Sequence, residues 1–123
     1  MKLLKISLLT LILVGISSDV FANSLVINYS NNKRLYKWDG KNLVNYSNNK
    51  KLYKWDGSNI ANYSSNKKLY KWDGANIANY SNNKKLYKIN GNTVSVYSTN
   101  KKLLKVDGII PIPILIVLIT GLL

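Results

Sequence analysis

Apolar residues are distributed along this chain in three regimes. From Ile6 to Ile16 they run almost unbroken, interrupted only by Ser7, Thr10 and Gly15. From residue 23 to 108 they come in short runs between polar turns. From Ile109 to Leu123 the chain is apolar again, with Thr120 as its one polar side chain. The middle pattern repeats. Asn28-Tyr29-Ser30-Asn31-Asn32-Lys33-Arg34-Leu35-Tyr36-Lys37-Trp38-Asp39-Gly40 returns at Asn45 with Lys51 for Arg34, and again at Asn62 with Lys68 for Arg34 and Ser65 in place of an Asn. A fourth copy at Asn79 carries Ile89-Asn90-Gly91, and a fifth at Val96 carries Leu104 for Tyr and Val106 for Trp. The tyrosines at 29, 46, 63, 80 and 97 and the glycines at 40, 57, 74, 91 and 108 keep a spacing of seventeen.

Each unit predicts two strands. In Lys51-Leu52-Tyr53-Lys54-Trp55, period-two alternation puts Tyr53 and Trp55 on one face and Leu52 and Lys54 on the other. Asp56-Gly57 is a strong short hairpin signal, because Gly adopts positive φ without steric cost. Asn59 to Tyr63 gives a second strand with Ala61 and Tyr63 on one face, and Ser64 to Lys67 turns into the next copy. No 3.6-residue period is present in the repeats. The expected fold class is all-β: five 17-residue β-hairpin repeats over residues 23–108, forming a meander or a hairpin solenoid. An N-terminal signal helix and a C-terminal apolar helix flank them. A lone hairpin is marginal, so the units must pack on one another.

The two ends carry the sorting information. Lys2 and Lys5, the apolar core and the exit Val20-Phe21-Ala22 have the order of a signal peptide over residues 1–22, with cleavage leaving Asn23 first. Its core of about eleven residues is short of the ~20 that span a bilayer. Residues 109–123 have three readings: a short membrane anchor flanked by Lys101, Lys102 and Lys105, a processed sorting tail, or a core element of the repeat domain. The expected localisation is export to the envelope, the cell surface or the medium, with membrane association through the tail.

Charge then narrows the partners. The whole chain carries +13 and has no His or Cys. Residues 23–108 hold sixteen Lys and Arg against four Asp. Such an excess suits an acidic polysaccharide, another anionic envelope polymer or anionic lipid; a nucleic-acid partner is not favoured, and self-association would cover open strand edges. The pairs Lys33-Arg34, Lys50-Lys51, Lys67-Lys68, Lys84-Lys85 and Lys101-Lys102 recur once per copy, so stacking would align them in a basic stripe. Tyr36, Trp38, Tyr53, Trp55, Tyr70 and Trp72 could then stack on sugars beside Lys50, Lys51, Lys67, Lys68, Lys84 and Lys85. The competing reading places those aromatics in the core and makes the lysines a solvated edge.

Chemistry is not indicated. There is no His, Cys or Glu and no catalytic constellation is found: Asp39, Asp56 and Asp73 occupy the same turn position in successive copies, so they do not make an acid/base pair in distinct environments. One Asp per copy supplies too few oxygens for a hard cation, so no metal or cofactor is expected. Two further functions compete with polymer binding. One is an anchored structural spacer or a piece of a longer array. The other is a peptide precursor cut at its dibasic pairs, releasing fragments such as Leu52 to Asn66. Asn-Tyr-Ser at 28, 45, 62 and 79 would be a glycosylation acceptor in a eukaryotic secretory path and a strand end in a bacterium.

The phrase Leu-Tyr-Lys-Trp-Asp-Gly-x-Asn-Ile resembles the strand–turn–strand unit of bacterial propeller-type repeats of the kelch or WG kind, and the aromatic hairpins of choline-binding cell-wall repeats. The resemblance covers residues 28–108 and implies a hairpin, with no functional residue carried over. Kelch units are longer and carry a double Gly that is absent here. Pro111-Ile112-Pro113, the apolar run and Gly121-Leu122-Leu123 resemble PEP-CTERM-type sorting tails, without their terminal basic cluster. In a eukaryote the same tail, after Ser98-Thr99-Asn100, would resemble a GPI signal.

Overall fold

The computed structural model describes residues 2–6, 11–15, 24–28, 30–108 and 110–123. Ten strands run in sequence order from Ser24 to Asp107: β3 (Ser24–Asn28), β4 (Arg34–Trp38), β5 (Asn42–Asn45), β6 (Lys51–Trp55), β7 (Asn59–Asn62), β8 (Lys68–Trp72), β9 (Asn76–Asn79), β10 (Lys85–Asn90), β11 (Thr93–Val96) and β12 (Lys102–Asp107). Each pairs antiparallel with the next, so these ten form an open meander. The meander alternative therefore holds over the solenoid. Ahead of it lie β1 (Lys2–Ile6) and β2 (Leu11–Gly15), and the chain ends in α1 (Ile112–Ile119).

The N-terminal segment departs from expectation. Its described residues are strands, not a signal helix. β2 pairs with β3, β1 pairs with β2, and β1 meets β12 through Lys5↔Asp107 and Ile6↔Val106, so the twelve-strand order closes as a barrel. The physical reason is that a short apolar run satisfies a buried strand as well as a helix, and periodicity alone does not separate the two. The expected cleavage segment, Ser17 to Ala22, lies outside the described residues.

Two turns alternate along the meander. At one end Asp56 precedes Gly57, whose φ is +103°, the positive value a two-residue II′-type loop asks of its first position. The Asp56 carboxylate accepts the backbone N–H groups of Ser58 at 2.9 Å and Asn59 at 2.7 Å, which pins the loop. At the other end Asn32, Asn49, Asn66, Asn83 and Asn100 all take φ near +60°, a region Asn tolerates better than most residues. Asn45 and Asn48 accept the N–H groups of Ser47 and Lys50, so the Asn-rich string builds the turn. A Cβ on Gly57 would meet nothing within 4 Å, so only backbone strain opposes it. Gly57→Ala is expected to cost about 1–2 kcal/mol, read from denaturant midpoints.

Curvature comes from a regular irregularity. Leu43 pairs with Tyr53 but Val44 pairs with Lys51, which leaves Leu52 as a bulge. The same shift recurs at Leu35, Leu69, Leu86 and Leu103. Bulges bend a strand and increase its twist, and one per seventeen residues rolls the sheet evenly.

The rolled sheet encloses α1. Pro111 caps the helix, Pro113 lies in its first turn, and Gly121 at φ +77° ends it. Leu122 donates its N–H to the Val117 carbonyl, the closing bond of a Schellman turn. Ile114, Leu115, Ile116 and Val117 are at most 1% exposed, so the helix is buried all round. They share one core with Val26, Leu43, Ile60, Ile77 and Val94 from the sheet. Burial of each such side chain stabilises by about 1.5–3 kcal/mol. Of the three readings of the C-terminal tail, the core element is the arrangement seen over residues 110–123. Among the described residues no helix is long and apolar enough to cross a membrane. A lumen and a bilayer demand the same apolar residues, which is why composition favours both.

Candidate functional site

The sheet separates the residues that the repeats place side by side in sequence. Tyr36, Tyr53, Tyr70, Trp55 and Trp72 pack against the core, and Trp38 is part of it at 3% exposed. Tyr53 donates its hydroxyl hydrogen to the Leu122 carbonyl at 3.0 Å. Burial, with Tyr36 and Tyr70 nearby, pushes the Tyr53 phenol above its usual range. Trp38, Trp55 and Trp72 gather with Pro111 and Pro113 around an open cleft of about 260 Å³ at the Asp-Gly end. The aromatics expected to stack on ligand therefore serve chiefly as the wall around α1.

The lysines lie elsewhere. Lys50, Lys67 and Lys84 are exposed at the Asn-rich turns, whereas Lys51, Lys68 and Lys85 open the following strands. Across the outer face the pairing reads Lys54–Ala61–Lys68, Lys71–Ala78–Lys85 and Lys88–Ser95–Lys102. Lys37–Val44–Lys51 precedes them in the same register. Ala61, Ala78 and Ser95 are buried although they face outward, because long lysine stems flank and cover them. The result is a set of grooves with small floors and cationic walls. One, of about 330 Å³, is bounded by Lys41, Lys54, Lys68, Ala61 and Asn66, with the Asp56 carboxylate, set against Lys68, as its one acidic wall. The equivalent position two seventeen-residue steps on is bounded by Lys88, Lys102, Ser95 and Asn100, and holds about 530 Å³.

Tyrosines complete this face. Tyr63, Tyr80 and Tyr97 are 40–42% exposed. Lys51 and Lys54 lie 5.3 and 5.9 Å from the Tyr63 ring centre. Lys68 lies 5.4 Å from Tyr80 and Lys85 5.5 Å from Tyr97. Arg34 donates from Nη1 to the Tyr46 hydroxyl at 2.9 Å and also sits over that ring. Each exposed cation–π contact contributes only about 0.5–1 kcal/mol, enough to orient an ammonium but not to neutralise it. Lys37 and Lys88 donate to the side-chain carbonyls of Asn49 and Asn100. Sequence reasoning missed Tyr46, Tyr63, Tyr80 and Tyr97, and also Lys37, Lys54, Lys71 and Lys88. The available signal was that Ala61 and Tyr63 share a face while Lys54 lies opposite Tyr53 and Trp55.

The carboxylates are committed to the turns. Burial works to raise the Asp56 pKa, but it is outweighed by the Asn59 side-chain amide, the Ser58 and Asn59 N–H groups and the Lys68 charge, which bring it to about 2. Lys68 lies 4.0 Å from Asp56. Asp39 is lowered as well: burial opposes the shift, and the Asn42 and Lys41 N–H groups prevail. The N–H groups of Ala75 and Asn76 lower Asp73. A carboxylate whose folded pKa is depressed contributes stability above its unfolded pKa and loses it as pH falls through the folded value. Stability is therefore expected to hold down to about pH 4 and to fall from there toward about pH 2. Melting temperatures across that window check this, and Asp56→Asn should flatten the dependence. Among the described residues no three metal-ligating side chains come together.

No family model, curated protein or solved structure matches the chain.

Proposed function

We propose that this chain is an exported, non-enzymatic protein of five 17-residue repeats that binds an acidic polysaccharide or similar anionic polymer across its outer face. One observation carries the reading: the lysine-walled groove with a small floor recurs along the sheet, beside exposed tyrosines. A repeated cationic groove suits a repeated anion. Neighbouring strands lie about 4.8 Å apart, so lysines two strands apart place ammonium groups roughly 10 Å apart along one direction. Residues 23–108 hold sixteen cations against four carboxylates, so their charge cannot be balanced within the repeats. The tyrosine faces add flat surfaces on which sugar rings can rest.

In this reading residues 1–22 direct export and α1 serves as core, so retention at the cell surface comes through the polymer. The peptide-precursor function gains no support from the fold, because Lys51, Lys68 and Lys85 begin paired strands, and cutting there would break the sheet. The test is binding to polygalacturonate, with neutral dextran as control. Binding to the acidic polymer alone, weakening between about 0.05 and 0.5 M salt, supports the reading. Equal binding to dextran, or binding unchanged by salt, contradicts it.

A further inference from the structure

β3 and β12 stand at opposite ends of the ten-strand meander, and each is half of a repeat. In steps of seventeen, Val26 takes the place of Leu43 and Ile27 that of Val44, so β3 is a second strand lacking its first. Lys102 and Lys105 take the places of Lys51 and Lys54, and Asp107-Gly108 that of Asp56-Gly57, so β12 is a first strand lacking its second. The two edges are therefore complementary halves of one hairpin. In the full chain β2 and β1 stand between them, and the β1–β12 seam rests on the pairs Lys5↔Asp107 and Ile6↔Val106.

We propose that removal of residues 1–22 lets β3 and β12 pair directly, closing a ten-strand barrel made of five equal units. This inference rests on the export reading above. Cleavage would leave two strand edges with unpaired N–H and C=O groups, a template that must find a partner. The register follows from the repeat. Tyr53↔Asn62, Lys54↔Ala61 and Trp55↔Ile60 become Leu104↔Asn28, Lys105↔Ile27 and Val106↔Val26. Barrel diameter grows roughly linearly with strand number, so ten strands enclose α1 in a lumen narrower by about a sixth. The inner side chains near the seam are suited to this. Ile89 and Val106 stand where other copies carry Trp, and Leu104 where they carry Tyr. Closure also joins Lys105 to the outer lysine face, with Ile27 as the groove floor, so that face runs round the barrel without a gap.

The chain has no cysteine, which makes a disulfide test clean. Ile27→Cys and Lys105→Cys are introduced together into the full-length chain, which is exported into an oxidising compartment and recovered for intact mass and non-reducing electrophoresis. In the twelve-strand arrangement the two positions lie three strand spacings apart, about 14 Å, beyond the ~7 Å between Cα atoms that a disulfide spans. The expected product lacks residues 1–22, is monomeric and has lost both thiol hydrogens to an internal disulfide. A processed monomer with free thiols, or a disulfide-linked dimer, overturns closure while leaving export intact. A mass that retains residues 1–22 overturns the export reading, and closure with it.

Discussion

Ile116→Ala is expected to lower the unfolding free energy of the whole sheet by about 2–5 kcal/mol, the range for deleting buried aliphatic groups that leave a cavity. Ile116 is 0% exposed and shares one core with side chains from most of the meander. Ile116→Asp should abolish the folded state, since an uncompensated carboxylate there has neither water nor a cation to meet. The measurement is denaturant unfolding followed by tryptophan fluorescence. Trp38, Trp55 and Trp72 lie beside Pro111 and Pro113 and report on the seating of α1. A tail serving only as anchor or sorting signal would leave the sheet's midpoint unchanged in both variants. Since a domain's total stability is only about 5–15 kcal/mol, the alanine variant alone separates the two roles.

The second large effect concerns the outer face. Lys54→Gln, Lys71→Gln and Lys88→Gln combined should weaken polygalacturonate binding on the order of 100-fold, if each cation at an anionic surface contributes about 1 kcal/mol. The charge-matched control is Lys50→Gln, Lys67→Gln and Lys84→Gln at the Asn-rich turns, where less than about a tenfold loss is expected from screened long-range attraction. Titration calorimetry at fixed ionic strength reads both. Equal losses would mean that net charge, rather than the grooves, governs binding. Both triple variants should keep the parent's unfolding free energy within about 0.5 kcal/mol, since Gln keeps most of the lysine stem and the turn contacts of Lys50, Lys67 and Lys84 are made by their backbone groups.

Much of this was legible in the residues. The seventeen-residue register, both strands of each unit and the Gly turns follow from spacing and from the few residues that accept positive φ. The faces were only half legible, because the bulge is silent in sequence. Strict alternation from Lys51 to Trp55 puts Lys51 on the side of Tyr53 and Trp55. With Leu52 bulged, Lys51 and Lys54 both reach Tyr63 on the outside. That one residue is why the exposed tyrosines went unnoticed beside the lysines. The ends were less legible still. Apolar runs such as Leu11–Gly15 and Ile112–Ile119 contain nothing that distinguishes lipid from a protein lumen as their surroundings. The helix runs for only eight residues, between Pro111 at its N-cap and Gly121 in the left-handed region just past its end.

The central claim is that the outer lysine–tyrosine grooves, not the aromatic interior, meet the ligand. Lysine acetylation footprinting, resolved by mass spectrometry with and without polygalacturonate, tests it site by site. The account predicts protection of Lys54, Lys68, Lys71, Lys85 and Lys88 by the polymer, with Lys50, Lys67 and Lys84 still reactive. Protection confined to the turn lysines, or none at a polymer concentration that saturates binding, would contradict it.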